Sequence, residues 1–476
     1  MRPATAVGVA RITTHLVGAA HHRGTALPGL AAERIWPSAL MSLAGQLAAT
    51  ILVIGTNGKT TTAGLIAEIL GGSTRPFIAN RSGANMRQGI LTSLVLSSDL
   101  RGRIRHGRAG PPDAVFEVDE ATLEQILPEL GPTVIVATNL FRDQLDRYGE
   151  ADAIVDRWAV ALSTAAEGSM LIHCADDPRL AMLASETRLP HRTFGLAGIP
   201  TDRDQPRDGE DAIADPVACR SCGRQLIYSW RSIGHLGDFH CPLGHVQRAD
   251  PDVAFETSLA VVTHEKTVAV GSTATIRLTG RVGHSIATPR LLGLMNAYNV
   301  AAAVTAATAI GHSVEQAAKA IDGYKGPFGR LERLEIDGRH VVLTLIKNTV
   351  SLAETARLVP GLAADVILLG LNDSPADGQD VSWIWDAPIA QLVAGRAVVL
   401  TGSRAADLRL RLKYDGHNAS SPPRSIEEMS SPASALELAV SRAPTGGIVL
   451  AAATYTAMLS LRAIAEQRGD ALAIPR

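Results

Sequence analysis

The sequence is poor in cysteine, close to neutral in charge and without a long apolar run. Four cysteines in 476 residues are too few for a disulfide-stabilised scaffold. A formal net charge of −2 and a pI of about 6.7 give no overall basic field for nucleic acid or an anionic membrane. No apolar run reaches the ~20 residues of a membrane span, and residues 1–30 lack a continuous signal-peptide core. These absences favour a cytosolic protein of about two or three globular domains.

The most informative segment that is present is "ILVIGTNGKTTTAGLIAEIL", residues 51–70. Residues 51–54 form a short β-branched run typical of a buried parallel strand, and residues 63–70 have the apolar spacing of a helix. Gly55 and Gly58 lie in the intervening loop. Because glycine permits backbone angles that a side chain forbids, successive N–H groups can converge there on one anion at the helix N-terminus.

Lys59 and Thr60 complete the features of a phosphate-binding loop. The lysine supplies a positive charge for the β- and γ-phosphates of ATP, and the threonine a hydroxyl for Mg²⁺. The usual pattern begins with a glycine where this chain has Val53, so the match is to the shorter form G-T-N-G-K-T. The alternative interpretation is a simple glycine turn, which would leave the lysine without a role.

Strand-like runs alternate with helical segments along the chain, which predicts a doubly wound parallel sheet. The runs in the first half are 114–120, 133–140 and 169–176, and those in the second half are 341–348, 365–373, 397–403 and 447–455. The second series begins after Gly329, so we place a domain boundary near residue 327.

Acidic residues follow two of these strands, where ligands bind in such sheets. Glu117, Asp119 and Glu120 end the first run, and Asp143 and Asp146 follow the second. Any one of them could simply cap the next helix. Because an ATP site needs a metal ligand beside its phosphate loop, we favour Glu117 as a ligand of Mg²⁺.

Three of the cysteines, Cys219, Cys222 and Cys241, lie close together in a segment that interrupts the α/β alternation. Such clustering indicates a metal site rather than oxidation. The alternative is a metal-free ribbon packed around aromatic side chains, namely Tyr228, Trp230 and Phe239. Cys174 stands apart, and we interpret it as a buried strand residue.

Several motifs, in this order, resemble the Mur ligase family of ATP-dependent carboxylate ligases: "GTNGKTTT", "FEVDEATL", "TNLFRDQLDRYGE", "GLMNAYNVAAA" and "FGRLE". The second half resembles the MurT branch of that family through "KN" at 347–348, "LNDSPADGQDVSWIWD" at 371–386 and "YTAM" at 455–458. Gln144, in "DQLD", stands where stand-alone Mur ligases carry histidine, and this also resembles MurT. The likeness extends from about residue 25 to residue 465.

The resemblance implies an α/β fold with a Mur ligase-type P-loop ATPase domain, a parallel central sheet and an inserted zinc-ribbon-like segment, followed by a smaller α/β C-terminal domain. On this chain the divisions would be an N-terminal helical segment at 1–45, the ATP-binding domain at 46–326 with the ribbon at 215–250, and the C-terminal domain at 327–476.

The implied reaction belongs to peptidoglycan biosynthesis. ATP phosphorylates the α-carboxylate of D-glutamate in the lipid II stem peptide, and ammonia attacks the acyl phosphate to leave D-isoglutamine. By the family pattern the residues at ATP would be Thr56, Asn57, Gly58, Lys59, Thr60, Thr61, Asn296 and Arg330, with Asn299 beside them. Thr60 and Glu117 would hold Mg²⁺.

The cysteine segment resembles the zinc ribbon of MurT proteins, whose pattern is C-x2-C followed by C-P-x-C. Here the expected fourth cysteine is Gly244. Because structural zinc takes four ligands, a nitrogen of His245 or of His240 would have to complete the set.

The chain has no pattern of a glutaminase, so the ammonia must come from a partner. The resemblance implies a GatD-type glutamine amidotransferase subunit in a heterodimer, with an aspartate of this chain completing the partner's catalytic triad. The candidates are Asp377 and Asp380, with Asp373 and Asp386 as weaker ones, and each could instead be a turn or cap residue.

Two other functions stay open on the sequence alone. A self-sufficient Mur or folylpolyglutamate-type ligase would join an amino acid to a carboxylate without a partner, and a non-catalytic scaffold would only bind nucleotide. Gln144 and the tryptophan motif argue against the first. The residues that argue against the second are Lys59, Thr60, Glu117 and Arg330. The expected location is the cytoplasm, with peripheral association at the inner face of the membrane and no integral span.

Overall fold

The chain folds around two large β-sheets with helices packed on their faces. The computed structural model describes residues 2–19, 26–80, 84–143, 151–198, 216–258, 263–264, 267–268, 275–281, 283–291, 293–326, 330–415 and 421–468. The strands are β1 (Thr50–Ile54), β2 (Phe77–Ala79), β3 (Asp113–Glu117), β4 (Val134–Ala137), β5 (Met170–Cys174), β6 (His191–Leu196), β7 (Ile227–Arg231), β8 (Gly237–His240), β9 (Val253–Ser258), β10 (Thr263–His264), β11 (Thr267–Val268), β12 (Thr275–Gly280), β13 (Ser285–Ala287), β14 (Arg330–Ile336), β15 (Arg339–Leu345), β16 (Val366–Gly370), β17 (Ala397–Thr401), β18 (Ser425–Glu428) and β19 (Ile448–Ala453).

Helices fill most of the connections. They are α1 (Arg2–Ala19), α2 (Leu27–Ile35), α3 (Ala39–Ala44), α4 (Lys59–Gly71), α5 (Arg87–Leu96), α6 (Leu123–Leu130), α7 (Ala151–Ser163), α8 (Pro178–Glu186), α9 (Leu294–Ala309), α10 (Val314–Ala320), α11 (Thr349–Leu362), α12 (Ile389–Val393), α13 (Ala405–Asp415), α14 (Pro432–Arg442) and α15 (Tyr455–Arg468). A short 3₁₀ helix spans Ser382–Trp385. Buried residues of α1 to α3, among them Ala10 and Leu40, belong to the same apolar core as the first sheet.

The first sheet has the strand order β13-β12-β9-β6-β5-β4-β1-β3-β2. The strands from β2 to β9 in this order pair in parallel, as the alternation predicts. The predicted parallel sheet is thus confirmed, and it is extended at one edge by β12, which pairs antiparallel with both β9 and β13. Strand β1 lies between β4 and β3, so the chain leaves it at a point where the strand order reverses, which is where ligands bind in such sheets.

The second sheet has the order β14-β15-β19-β16-β17-β18 and is parallel except for the β14–β15 hairpin. Its central strands β16 and β19 are buried along their whole length. Such apolar runs are typical of parallel strands that are covered on both faces.

The segment with the cysteines forms a small unit of its own. Strands β7 and β8 pair antiparallel in a two-stranded ribbon. Under it lies a separate apolar cluster that includes Val217, Leu226 and Phe239 and reaches Met182 on α8. The insertion therefore packs on the first-sheet unit through helix α8.

Candidate active site

The loop from Gly55 to Gly58 joins β1 to α4 at the carboxyl edge of the first sheet. Both glycines have positive φ, +132° and +87°. A side chain at Gly58 would also have no room, since its Cβ would lie 2.0 Å from Oδ1 of Asn299. The loop conformation therefore requires glycine, as the sequence predicts, and the helix begins at once, at Lys59 rather than at residue 63.

Residues that follow β4 hold the phosphate loop in place through hydrogen bonds. The Asn57 N–H donates to Oδ1 of Asn139 (2.9 Å), and the Thr138 hydroxyl donates to the Asn57 carbonyl (2.8 Å). The Thr56 hydroxyl donates to the Phe141 carbonyl (3.1 Å) and accepts from the Phe141 N–H (3.0 Å). These contacts hold the loop in one conformation, so its remaining N–H groups are preorganised for a ligand.

Lys59 is buried at the base of this loop. Its Nζ donates to the Gly55 carbonyl and to Oε1 of Glu120, both at 2.6 Å. Burial disfavours the ammonium, but the nearby carboxylates, first Glu120 and then Glu117, outweigh it and raise the pKa of Lys59. The loop thus carries a fixed positive charge. Sequence reasoning assigned Glu120 only to the group of acids after β3, and its pairing with Lys59 was missed.

Thr60 and Glu117 face the same cleft, which has a volume of about 410 Å³ and lies between α4 and strands β2 and β3. Glu117 is buried, and its Oε1 accepts from Nδ2 of Asn85 at 3.3 Å. The two residues that the sequence predicts as Mg²⁺ ligands therefore line one cleft. A hydroxyl and a carboxylate are hard oxygen donors of the kind that Mg²⁺ takes.

The other acids after these strands have structural partners. Asp119 accepts from the Ala121 N–H at 3.1 Å, a turn contact that precedes the N-cap of α6, Thr122, and so does not cap the helix. Asp143 accepts from Nζ of Lys347 at 2.7 Å. Asp146 and Gln144 lie outside the described residues.

Asn296 and Asn299 project from the first turns of α9 toward the phosphate loop. Asn299 Nδ2 donates to Oδ1 of Asn296 at 3.1 Å, and its own Oδ1 accepts from the Thr62 hydroxyl at 3.4 Å. Both line a narrow cleft of about 80 Å³ together with Asn57. Its opposite wall comes from the second sheet and α11, through Leu331, Thr344, Leu345, Val350, Ser351, Glu354, Thr355 and Leu358.

Two residues just beyond the end of β15 connect the part of the chain that forms the second sheet to the phosphate loop. Lys347 Nζ donates to the Thr56 carbonyl at 2.8 Å as well as to Asp143, and Asn348 Nδ2 donates to Oδ1 of Asn57 at 3.3 Å. The sequence used "KN" only as a family signature and missed this bridge. The Nδ2 group of Asn57 is buried without a hydrogen-bond partner among the described residues, so it is available to a ligand in the cleft.

Arg330 begins β14, but its side chain lies outside the described part of the structure. The next residue, Leu331, has a φ of +60° and coincides with a register shift against β15. The predicted contact of Arg330 with phosphate therefore stays a prediction.

The ribbon brings Cys219, Cys222, Cys241 and His245 together, with one ligand atom from each residue within 4.8 Å of the others. The Sγ atoms of Cys222 and Cys241 are 3.6 Å apart, and Nδ1 of His245 is 3.8 Å from Cys219 Sγ and 3.6 Å from Cys241 Sγ. Metal–ligand distances of about 2.0–2.3 Å in a tetrahedral zinc site give ligand separations of this size. The donor set thus fits zinc, and the fourth member is His245, not His240.

The two aspartates proposed for the partner's triad have different surroundings. Asp377 is buried, and its two oxygens accept from the Thr456 N–H (2.7 Å) and hydroxyl (2.5 Å) at the start of α15. Asp380 is partly exposed, and its Oδ1 accepts from the Ser382 N–H at 2.8 Å. This contact lowers the pKa of Asp380. Of the weaker candidates, Asp373 accepts from the Ser403 hydroxyl at 2.8 Å.

Comparison with known families gives two matches. Residues 53–208 match the model of the Mur ligase middle domain, and residues 345–458 match that of the MurT ligase C-terminal domain. The chain is 31% identical over 418 residues to the MurT subunit of lipid II isoglutaminyl synthase (glutamine-hydrolyzing) from Staphylococcus aureus strain N315, covering 87% of this chain and 88% of that protein. The subunit of the same name from Streptococcus pneumoniae strain R6 is 29% identical over 462 residues, 96% of this chain and 95% of that protein.

Solved structures share the fold. A pseudomurein peptide ligase type C from Methanothermus fervidus superposes with a TM-score of 0.64 at 19% identity, covering 88% of this chain and 78% of that one. A MurF ligase from Thermotoga maritima in complex with ADP has a TM-score of 0.60 at 13% identity, covering 91% and 83%. Among the described helices, none combines the length and the apolar character needed to cross a bilayer.

Proposed function

The chain belongs to the MurT family of Mur ligase-type enzymes, and from that premise we propose that it is the ATP-using subunit of a lipid II isoglutaminyl synthase. Its substrate would be the α-carboxylate of D-glutamate in the lipid II stem peptide. The γ-phosphoryl group of ATP passes to a carboxylate oxygen, which gives an acyl phosphate and ADP. Ammonia then attacks the acyl carbon, phosphate leaves with the electron pair of the C–O bond, and the product is D-isoglutamine, the α-amide of D-glutamate. This assignment replaces the self-sufficient ligase that the sequence left open.

One observation carries the proposal, the buried positive charge of Lys59 beside a cleft that Thr60 and Glu117 both face. Phosphoryl transfer is catalysed mainly by positioning and by charge stabilisation. In the proposed role, the triphosphate oxygens take the place of Glu120 as partners of the Lys59 ammonium. Mg²⁺, held by Thr60 and Glu117, would neutralise charge on the β- and γ-phosphates.

The rest of the nucleotide would lie in the cleft between α9 and α11. Its lining includes Asn296 and the unpaired Nδ2 donor of Asn57. Thr56, Gly58 and Thr61 would contribute backbone or hydroxyl contacts at the loop, and Arg330 would reach the phosphates. The division into an N-terminal segment, an ATP domain and a C-terminal domain near residue 327 belongs to the same proposal.

The direct test is an amidation assay on the chain purified with a GatD-type glutaminase subunit. We expect conversion of the D-glutamate carboxylate of lipid II to its amide, dependent on ATP and on glutamine or ammonium. Joining of an amino acid to a carboxylate by the chain alone would contradict the proposal. The expected place of the reaction is the cytoplasm at the inner face of the membrane.

The hydrogen bond from Lys347 to the phosphate loop predicts that removing this side chain weakens the use of ATP. Lys347→Met removes the donor to the Thr56 carbonyl and to Asp143, so the second unit no longer positions the loop. Because misplacing reacting groups by about 1 Å can cost about 10²-fold, we expect kcat/KM for ATP to fall roughly 10- to 100-fold. Lys413→Met, at an exposed position of α13, is the matched control. Equal kinetics for the two variants would contradict this role.

The cysteine–histidine cluster predicts about one zinc ion per chain, since its four donors suit a closed structural site. Metal analysis of Cys219→Ser should show the zinc content reduced and the melting temperature lowered, because a tetrahedral site loses a thiolate. The control is Cys174→Ala, which changes a buried cysteine of β5 outside the cluster. If the parental protein held no zinc and Cys219→Ser melted at the same temperature as the parent, the result would favour a ribbon held by apolar packing alone.

A further inference from the structure

A loop between α5 and β3 carries a cluster of exposed basic side chains. Arg101, Arg103, Arg105, His106 and Arg108 are all exposed. Within the described part of the chain, none of the four guanidinium groups lies within ion-pair distance of a carboxylate. The nearby acid, Asp99, accepts instead from the backbone N–H groups of Arg101 (2.8 Å) and Arg103 (3.0 Å).

This arginine loop, residues 99–108, is anchored to the fold by its backbone. Gln46 donates to the Gly102 carbonyl and accepts from the Ile104 N–H, both at 2.9 Å. The Ile104 side chain is buried, and Gly107 and Gly110 exchange two backbone hydrogen bonds at 3.0 and 3.2 Å. The loop therefore turns its arginines outward on a fixed backbone, alongside Leu100, which is 52% exposed.

The charge of this loop contrasts with the rest of the molecule. Its four arginines and one aspartate sum to +3, so a chain of net charge −2 carries −5 outside it (−2 minus +3). Helix α1 lies next to the loop, since Arg11 Nη2 donates to the Ser98 carbonyl at 2.7 Å, and it contains no acidic residue. A positive pole on an otherwise acidic protein orients that side toward an anionic surface.

The loop contacts the start of β2, a strand in the wall of the proposed reaction cleft, at the edge of the sheet opposite Glu117. A Cβ atom at Gly107 would lie 2.6 Å from Cδ of Pro76, the residue before β2. Phe77 and Ala79 of β2 line the same cleft as Thr60 and Glu117. A surface that bound the arginine loop would thus lie beside β2, which forms one wall of the cleft.

We propose that the arginine loop docks on an anionic phospholipid bilayer, with its guanidinium groups among the lipid phosphates and Leu100 at the interface. The surface fits this partner because it combines arginines that pair with no carboxylate of the described residues with an exposed apolar side chain on one rigid loop. The role that we give to this docking rests on the proposed function, because docking there would bring the cleft to a lipid-linked acceptor. The net charge of the whole sequence gave no sign of such a surface.

The test is cosedimentation of the full chain, alone and with its glutaminase partner, with vesicles of phosphatidylglycerol and phosphatidylcholine or of phosphatidylcholine alone. The variant changes all four loop arginines to glutamine. The control changes Arg157, Arg277, Arg409 and Arg442 to glutamine, which are exposed arginines elsewhere. Both proteins lose the same charge. Since each basic residue near an anionic leaflet contributes about fivefold, the loop variant should lose about 10²- to 10³-fold in partitioning to anionic vesicles.

We expect the control to partition like the parent, and added salt to weaken parental binding. Equal binding of the parent to both kinds of vesicle, or equal loss in loop variant and control, would overturn the proposal. So would tighter binding of a short RNA than of vesicles. In a second arm, the loop variant should amidate detergent-dispersed lipid II at the parental rate and vesicle-embedded lipid II more slowly. Failure of amidation with both substrates by the parent would count against the proposed function and leave the vesicle result to stand alone.

Discussion

Lys59→Ala is expected to abolish ATP-dependent amidation, with kcat lowered ~10³-fold or more from either glutamine or ammonium. The lysine is the buried cation of the loop, and its Nζ already lies 2.6 Å from the Gly55 carbonyl at the end of β1. A methyl group would leave charge on the transferred phosphoryl without its nearest fixed cation. The measurement is the amidation rate under saturating ATP, with ADP release followed in parallel.

Lys59→Ala should also lower the stability of the protein, and the experiment must separate this effect from the loss of catalysis. Removing Lys59 leaves the buried Glu120 carboxylate without its partner, and breaking a buried pair in this way costs about 3–5 kcal/mol. The double variant Lys59→Ala/Glu120→Gln removes the stranded charge. It should recover much of the lost melting temperature and none of the activity.

Lys319→Ala, at an exposed position of α10, serves as the control and should behave like the parent. Activity that returned in the double variant would show that the single variant had failed through instability. Parental activity in Lys59→Ala would remove the phosphate-loop assignment altogether.

The strands could be predicted from the sequence because each is a short apolar run, but their ends could not. All eight predicted strands are present; the one at 51–54 ends as expected, and the other seven end two or three residues earlier than expected. The residues beyond the true ends include Glu120, Asn139 and Lys347, which turn away from the sheet into the site. A pattern of hydrophobicity does not distinguish a polar residue within a strand from one that leaves it to bind.

Pairings across long stretches of chain were also beyond sequence reasoning. Glu120 reaches Lys59 over 61 positions, and Lys347 reaches Asp143 over 204. Any one of these acids could have been a cap, and the sequence favoured a role in the site only for Glu117. Only the order β4-β1-β3, which places three strand ends side by side, decides which acids meet the lysine. The antiparallel edge of β12 and β13 gave no motif and was missed.

Spacing resolved some details only in part. The sequence offered His240 or His245 as the fourth donor of the ribbon. The turn at Gly244, whose φ is +75°, follows Cys241 closely and brings His245 back toward it. His240 ends strand β8 and is exposed outside the cluster. Net charge misled in a similar way, because a sum over the chain conceals a local cluster such as the arginine loop.

Asp380→Asn is expected to abolish most glutamine-dependent amidation while sparing the ammonium-dependent reaction. We propose Asp380, rather than Asp377, as the aspartate that orients the partner's catalytic histidine. Asp377 has both oxygens engaged by Thr456 at the start of α15. Asp380 is partly exposed and has a lowered pKa because the Ser382 N–H donates to it, so it is ionised at neutral pH.

The expected size of the effect follows from the role. An asparagine keeps the shape of the side chain but no longer stabilises the imidazolium that forms during catalysis, which in acid–base triads costs about 10²–10⁴-fold. Glutamine hydrolysis by the complex should fall by that amount. Amidation from added ammonium should stay at the parental rate, because Lys59, Thr60 and Glu117 are unchanged.

Asp377→Asn is the matched control, because it lies three residues earlier in the chain and has the same change in charge. Because an asparagine Oδ1 can still accept from the Thr456 N–H, we expect only a small loss of stability, and glutamine hydrolysis by the folded complex should persist. If Asp377→Asn instead removed hydrolysis with an unchanged melting temperature, the roles of the two aspartates would be exchanged. If both variants hydrolysed glutamine at the parental rate, no catalytic triad would be shared between the subunits. Contact between the two subunits would then be all that connects ammonia release to the phosphate loop.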